Sequence, residues 1–379
     1  MLDYPTLKFI WWLLVGVLLV GFAVMDGHDM GVGTLLPFAG RDDVERRVII
    51  NTIGPHWDGN QVWFITAGGA LFAAWPLVYA AAFSGFYWAM LAVLWALFFR
   101  PVGFDFRSKL DAPAWRNGWD WGLFLGSAVP PVIFGVAFGN LLQGVPFHFD
   151  DNLVPHYTGS FWQLLNPFAL LAGVVGLSMI VFHGANYLMH RTEGAIYARA
   201  RRASLVFGAL LVASFAAAGV WVASGIGGYA IAAGADPAAV SNPLAKTVEV
   251  APGAWLANYA RYPLTLAVPA AGFVGALAGM FFAWRGWTLA AFVASSVAMA
   301  GVIGTAAVSM FPFVMPSSSD PRSSLTMWDS TSSHLTLALM FWAVVIFMPL
   351  VIFYTRWAYG VMAGKVTAAY IRENRRSAY

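Results

Sequence analysis

The sequence predicts an all-α integral membrane protein, and two features of its composition lead to this prediction. Of its 379 residues, 60% are hydrophobic and only 10% are charged, whereas soluble domains carry roughly 25% charged residues. The apolar residues also form runs that are long enough to cross a bilayer, which takes about 20 residues in a helix. We therefore expect residues 1–379 to form a single polytopic membrane domain.

The apolar runs predict about nine transmembrane helices. The first run has about 28 residues, or ~42 Å of helix, so it must tilt or protrude from a hydrocarbon core of about 30 Å. It follows a single positive charge and ends at no cleavage site, which favours a span over a signal peptide. Trp75 and Pro76 separate the second span from the third. The predicted spans are residues 9–36, 57–75, 77–99, 121–143, 164–189, 203–225, 263–284, 287–310 and 335–358.

The lysines and arginines are shared unequally between the two sets of loops. One set carries 17 of the 21, and the positive-inside rule places it in the cytoplasm. With nine spans, the N-terminus is outside and the C-terminus is cytoplasmic. The outer set has Lys8, Lys246, Arg261 and Arg322. The cytoplasmic set has Arg41, Arg46, Arg47, Arg100, Arg107, Lys109, Arg116, Arg191, Arg199, Arg201, Arg202, Arg285, Arg356, Lys365, Arg372, Arg375 and Arg376.

Four aspartates lie at or within the predicted spans, all toward the cytoplasmic side. Asp26 and Asp29 fall in the inner half of the first helix and share one of its faces. Asp58 lies in the first turns of the second helix, and Asp105 follows the third. A carboxylate in hydrocarbon costs several kcal/mol unless it is paired, hydrated or protonated, so each indicates function. Together they predict a polar path that leads in from the cytoplasmic face.

Each aspartate also has a structural interpretation. Asp58 could cap the second helix, where the helix dipole favours an anion. Asp105 could form an ion pair with Arg100 or Arg107. For the two aspartates in the first helix, the alternative is an ion pair with a buried arginine.

Carboxyl groups in a dry channel could serve several functions. They could pass protons near neutral pH or bind Na⁺ or another cation, as part of a redox complex or of a proton- or cation-coupled transporter. The absence of cysteine excludes thiolate chemistry, iron–sulfur clusters and covalent c-type haem. His183 and Met179 share one helix face and cannot bind opposite faces of a haem. The scattered basic residues predict no nucleic-acid partner, and we expect no catalytic residue and no metal site.

Six stretches resemble subunit 2 of the cytochrome bd-type ubiquinol oxidases. The resemblance covers essentially the whole chain. One departure is His28, because the family usually carries an aromatic residue between the glycine and the second aspartate. The stretches are DGHDMGVG (26–33), PHWDGNQVW (55–63), GGALFAAWPLVYAAAFSGFY (68–87), FFRPVGFDFRSK (98–109), FGNLLQGVPF (138–147) and FPFVMPSS (311–318).

The resemblance implies a subunit of a complex that oxidises quinol and reduces O₂ to water in the bacterial inner membrane. It implies that two b-type haems and one d-type haem belong to subunit 1, a pseudo-symmetric partner, and that this chain ligates none and is inactive alone. It also implies small single-span accessory subunits, bound lipids and a structural quinone in this subunit. The implied proton path consists of Asp26, Asp29, Asp58 and Asp105. Its supporting residues are Arg100, His28, His56, Trp57, Asn60 and Gln61.

Overall fold

A computed structural model describes residues 2–374 and 378–379 and contains a bundle of long helices. Arg375 and Arg376, which we counted in the cytoplasmic set, lie outside the described residues. The helices are α1 (Tyr4–Ala39), α2 (Asp43–Ile53), α3 (Trp57–Ala74), α4 (Pro76–Gly85), α5 (Tyr87–Leu97), α6 (Phe99–Phe106), α7 (Pro113–Gln143), α8 (Pro167–Arg191), α9 (Gly194–Gly225), α10 (Ala257–Arg261), α11 (Ala267–Arg285), α12 (Thr288–Met310), α13 (His334–Val361) and α14 (Ala368–Glu373).

Six short strands form three antiparallel hairpins in the connections between helices. Two of the hairpins lie in the connections 144–163 and 226–262 between predicted spans, and the third lies in the segment before α13. The pairs are β1 (Phe147–Phe149) with β2 (Pro155–Tyr157), β3 (Gly227–Ala233) with β4 (Thr247–Pro252), and β5 (Phe313–Met315) with β6 (Leu325–Thr326).

The long helices confirm the predicted class, an all-α integral membrane protein. Eight helical segments of the described chain are long and apolar enough to cross a membrane. Two of them, α7 and α9, begin earlier than predicted because their first turns carry arginines, which we had left out of the apolar runs. The eight segments are Tyr4–Ala39, Tyr87–Lys109, Pro113–Gln143, Pro167–Arg191, Gly194–Gly225, Pro263–Arg285, Thr288–Met310 and His334–Val361.

The bundle has two chemically different ends. The hairpin end carries the three β-hairpins and the start of α1, where Lys8 donates to the carbonyl oxygens of Ala239 and Trp328. The basic end carries α2 and most of the arginines. The C-terminal residue lies at this basic end, where the Arg47 Nε is 3.0 Å from the carbonyl oxygen of Tyr379. The start of α1 and Tyr379 therefore lie at opposite ends of the bundle, as expected for an odd number of spans.

α3 accounts for the difference between nine predicted spans and eight apolar ones. Its first turns are polar, which lowers its mean hydropathy, yet it extends from one end of the bundle to the other. It begins beside α2 at the basic end, and at the hairpin end the carbonyl oxygen of Ala74 accepts a hydrogen bond from the Ser332 amide. The total of nine spans and the orientation in the membrane stay predictions.

The structure divides the predicted span 77–99 among α4, α5 and α6. The first break follows Gly85, and glycine is a weak helix former. The second break follows Leu97. Pro101 has no amide hydrogen to give to the Leu97 carbonyl, so the ladder of helical hydrogen bonds is interrupted there.

The second half of α1 is enclosed by other parts of the bundle. Every residue from 26 to 36 is buried. α8 packs against this stretch, where Gly31 and Gly184 let the two backbones touch. A Cβ atom on Gly31 would lie 2.2 Å from the carbonyl oxygen of Ile180. Side chains in this part of α1 therefore have neighbouring helices on all sides.

Candidate functional site

Asp26 forms a buried ion pair with Arg100. The two guanidinium nitrogens Nη1 and Nη2 donate to the two carboxylate oxygens at 2.9 and 2.5 Å. The side chain of Asp26 is fully buried and that of Arg100 is 1% exposed. The guanidinium also lies over the ring of Trp57, 5.5 Å from its centroid. An ion pair with a buried arginine was the structural interpretation of the aspartates in the first helix. For Asp26, Arg100 is that arginine.

Asp29 lies one helical turn further along α1 and has very different partners. Asn60 donates from Nδ2 to its Oδ2 atom at 2.7 Å. The other oxygen, Oδ1, accepts no hydrogen bond among the described residues. It faces His28 Nε2 at 3.2 Å and His56 Nδ1 at 3.5 Å. One half of this buried carboxylate therefore faces two imidazole rings.

Tyrosines and backbone carbonyls orient the two imidazole rings. His28 Nδ1 is 3.0 Å from the carbonyl oxygen of Val24. His56 Nε2 is 3.1 Å from the carbonyl oxygen of Thr52 and 2.9 Å from the hydroxyl of Tyr187. The ring of Tyr187 also packs on His28, with 4.2 Å between the centroids.

Tyr359 on α13 closes the site from the other side. Its hydroxyl donates to Asn60 Oδ1 at 3.0 Å and lies 3.4 Å from His28 Nε2. Its ring stacks on His56 at 4.8 Å. Residues from four elements, α1, α3, α8 and α13, therefore meet around Asp29.

The structure places Asp58 and Asp105 in the same half of the bundle, but on its surface. Both are exposed. Between them, the ring of Trp57 stacks on that of Phe104 at 5.0 Å. Burial, followed by the charges of Asp105 and Asp58, raises the pKa of the Tyr379 hydroxyl. The four aspartates thus form a buried pair and an exposed pair.

Two of the structural interpretations of the exposed pair are wrong. His56 occupies the cap position of α3, so Asp58 lies in the first turn and is not the capping residue. Asp105 forms no ion pair within the described chain, because Arg100 and Arg107 have other partners. Arg107 donates from Nε to the buried Asp120 at 2.5 Å.

Gln61, predicted as a supporting residue, does not reach Asp29. Its Oε1 atom is buried and accepts no hydrogen bond within the described chain. The residues that the sequence did not indicate are Tyr187, Tyr359 and Asp120. An acid directly before an apolar run was a usable signal for Asp120, whereas nothing distinguished the two tyrosines among the 13 in the chain.

Comparisons with known proteins agree with the fold. The family model described as cytochrome bd terminal oxidase subunit II matches residues 7–362. A solved structure described as that of the bd oxidase from Geobacillus thermodenitrificans superimposes with a TM-score of 0.62, covering 93% of this chain and 98% of that chain. Its sequence identity is 13%, so this likeness bears on the fold alone.

Curated relatives extend over the full length. The Escherichia coli (strain K12) protein named cytochrome bd-I ubiquinol oxidase subunit 2 is 57% identical over 379 residues, 100% of both chains. The Haemophilus influenzae protein named probable cytochrome oxidase subunit 2 is 55% identical, again over 100% of both. The Bacillus subtilis cytochrome bd ubiquinol oxidase subunit 2 is 34% identical over 94% of this chain and 96% of its own. The chain therefore belongs to the cytochrome bd terminal oxidase subunit II family and is a multi-pass protein of the inner membrane.

Proposed function

We propose that this chain is the haem-free subunit of a respiratory quinol oxidase and works only in complex with a haem-bearing subunit 1. The names of its full-length relatives describe a ubiquinol oxidase subunit 2, which supports the assignment. In this reading the complex oxidises quinol and reduces O₂, and its two b-type haems and one d-type haem are bound by the partner. This chain contributes a cytoplasmic proton route and a docking surface.

The buried carboxylate of Asp29 is the observation that carries the proposed proton route. It has one free oxygen, and its other oxygen bonds to Asn60. Asn60 lies two residues after the exposed Asp58, so α3 joins the surface to the buried acid. Protons would be collected by Asp58 and Asp105 at the basic end and relayed to Asp29 by water and polar side chains.

Asp26 has a different part in this proposal. Both of its oxygens are bound by Arg100, which stabilises the charged carboxylate. A carboxylate held in this way exchanges protons less readily than one with a free oxygen. We therefore propose that Asp26 mainly fixes the charge of Arg100 beside the route, and that Asp29 is the buried relay.

The exposed acids also indicate which face of the helix bundle contacts subunit 1. An acid that faced lipid would be costly, so the face of α3 and α6 that carries Asp58 and Asp105 should be covered by protein or water. The first 22 residues of α13, by contrast, carry no charged side chain and expose large apolar ones such as Leu339 and Phe347. We propose that subunit 1 docks on the α3–α6 face and that lipid or a small accessory subunit covers α13.

A structural quinone would need an apolar site. A cleft of about 590 Å³ between α11 and α12, lined by alanine and valine side chains, has suitable chemistry, and we propose it as a candidate. The orientation also belongs to the proposal. The basic end faces the cytoplasm, and the hairpin end faces outward.

Replacing Asp58 by asparagine tests the proton route. We expect the purified complex to keep its haem absorbance but to consume O₂ at least about 10-fold more slowly, because general acid–base groups contribute at least that much. Asp29→Asn should act likewise. O₂ uptake with a soluble quinol and the haem spectrum are measured on the same preparation.

Asp151→Asn is the matched control, since Asp151 is an exposed acid at the hairpin end. Its turnover should equal that of the unmodified complex. Normal turnover in both Asp58→Asn and Asp29→Asn would refute the route. A colourless preparation without a partner that transports a solute would refute the oxidase assignment and favour the transporter.

A further inference from the structure

We propose that His28, Asp29 and His56 form a binding site for a divalent transition-metal ion of the zinc type. One ligand atom from each residue lies within 4.8 Å of the other two. All three residues are buried, and Asp29 is fully enclosed. The proposal does not depend on the oxidase assignment, because it rests only on the arrangement of these side chains. While the ion is bound, Asp29 Oδ1 is occupied and does not relay protons, so the ion and the proton use the same oxygen in turn.

The hydrogen bonds fix which ring nitrogens carry lone pairs. A backbone carbonyl can only accept, so His28 Nδ1 must donate to Val24 and His56 Nε2 must donate to Thr52. In the neutral rings, the remaining nitrogens are then unprotonated. These are His28 Nε2 and His56 Nδ1, the two atoms that face Asp29 Oδ1.

Lone pairs of His28 Nε2, His56 Nδ1 and Asp29 Oδ1 therefore face one another in a buried place. Asp29 Oδ1 has no hydrogen-bond partner in the described chain. Asn60 does not supply the missing donor, because its Nδ2 group reaches Asp29 through Oδ2 at 2.7 Å and His56 through Nδ1 at 3.1 Å, and not Asp29 Oδ1. Leaving a buried acceptor such as Asp29 Oδ1 unsatisfied costs about 1–3 kcal/mol. A cation between the three atoms would remove this cost.

The spacing of the three atoms fits a tetrahedral ion. Ligands that lie about 2.0–2.1 Å from a tetrahedral zinc are about 3.3 Å apart. The distances from Asp29 Oδ1 to the His28 and His56 nitrogens are 3.2 and 3.5 Å. One ligand atom from each residue lies within 4.8 Å of the other two, so the side chains would draw together around the ion to bring both nitrogens to bonding distance.

The surroundings of the rings also match those of metal ligands. A histidine that binds a metal usually donates its other N–H group to a carbonyl or carboxylate, which fixes the ring orientation. Val24 and Thr52 supply such carbonyls here, and Asn60 holds the second oxygen of Asp29. The Tyr359 hydroxyl bonds to Asn60 and lies 3.4 Å from His28 Nε2, so it borders the site.

The ligand types narrow the identity of the ion. Two imidazole nitrogens and a carboxylate oxygen suit zinc and its first-row neighbours, whereas magnesium and calcium prefer oxygen ligands alone. The d-electrons of Zn²⁺ impose no geometry, so it tolerates a site built from α1 and the start of α3. Because zinc is a different element from the haem iron, it can be counted independently of the haems in the complex.

The test is zinc binding by the purified complex. The complex is treated with a chelator, equilibrated with ZnCl₂, dialysed and analysed by mass spectrometry for zinc per chain. We expect one tightly bound zinc in the unmodified complex. His28→Phe, Asp29→Asn and His56→Gln should each weaken binding by about 100-fold or more, because each removes a ligand.

His183→Gln is the matched control. His183 is also a fully buried histidine, but its nitrogens bond to Ser295 and Val24 and lie outside the three-residue cluster. Zinc should remain bound in this variant. Zinc retained in all three ligand variants, or absent from the unmodified complex, would overturn the proposal.

X-ray absorption at the zinc edge decides the question even if a variant does not assemble. The spectrum of the unmodified complex should show nitrogen and oxygen ligands at about 2.0–2.1 Å and the outer-shell scattering of imidazole. A spectrum without imidazole scattering would place the ion elsewhere and refute the site. Neither measurement depends on turnover, so failure of this proposal and failure of the oxidase assignment are distinguishable.

Discussion

Asp26 and Asp29 share a face of α1 one turn apart and are both fully buried, yet their surroundings are opposite. Asp26 meets a guanidinium that satisfies both of its oxygens. Asp29 meets an amide on one side and two imidazole rings on the other, and one of its oxygens has no donor. Depth in the membrane therefore does not decide what a buried acid does.

The role of each buried acid depends on the side chain that it contacts, and that side chain comes from another helix. Arg100 is 74 residues from Asp26 in the chain, and Asn60 reaches Asp29 from the start of α3. A buried ion pair with complete hydrogen bonds is a fixed structural unit. A buried acid with a free oxygen can still take up a proton or a cation.

The largest effect should come from breaking the complete pair. Asp26→Asn leaves the Arg100 guanidinium buried without a counter-charge, which typically destabilises a protein by about 3–5 kcal/mol. We expect a correspondingly large fall in the midpoint of thermal unfolding of the purified complex.

Removing both charges supplies the control. In Asp26→Leu/Arg100→Met no charge is left unpaired, so much of the lost stability should return. If Asp26→Asn alone were as stable as the unmodified complex, water and not Asp26 would compensate the charge of the Arg100 guanidinium.

Asp29→Asn, the same substitution one turn along α1, should change the stability of the complex only slightly, and should raise it. In Asp29→Asn, the amide oxygen can accept from Asn60, and the amide nitrogen can donate toward the histidine nitrogens. The complex, freed of metal by a chelator, should gain up to about 1 kcal/mol, the usual net value of a hydrogen bond. Thermal unfolding of the two Asp→Asn variants in parallel gives the comparison directly. A loss as large as that of Asp26→Asn would show that Asp29 is also held as part of a fixed ion pair.

The helices of the bundle were largely predictable because lipid imposes long apolar segments. The errors have local causes. The third span is divided at Gly85 and Leu97, a detail hidden in an apolar run. α2 was not predicted, because an 11-residue charged helix resembles a loop when only apolar length is considered.

The site was predictable only in part. Charged residues are easily recognised in an apolar chain, so Asp26, Asp29 and Arg100 stood out. The positive-inside rule placed them in one half of the bundle. The pairing of Asp26 with Arg100 depends on helix packing, which no local pattern encodes. Tyr187 and Tyr359 carry no charge and lie near the ends of predicted spans, where tyrosine is common, so their convergence on Asp29 was visible only in the structure.

A surface pair at the basic end provides the contrast to Asp26 and Arg100. Arg199 also binds a carboxylate with two nitrogens, at 2.7 and 2.9 Å from the oxygens of Glu45. These side chains are 18% and 22% exposed, so water screens the pair. Since partly exposed pairs contribute about 0–1 kcal/mol, Glu45→Gln should cost no more than about 1 kcal/mol at pH 7.

The pH dependence of this last effect separates charge from packing. The hydrogen bond from Arg199, more than any other contact, lowers the pKa of Glu45 below its ordinary value of 4.5. A lowered pKa means that the contribution to stability is fully present above pH 4.5 and is lost as the pH falls through the folded-state pKa. The thermal midpoints of Glu45→Gln and the unmodified complex should therefore differ at pH 7 and converge in acid. A difference that persists unchanged at low pH would mean that Glu45 acts through packing, which the two-nitrogen contact does not predict.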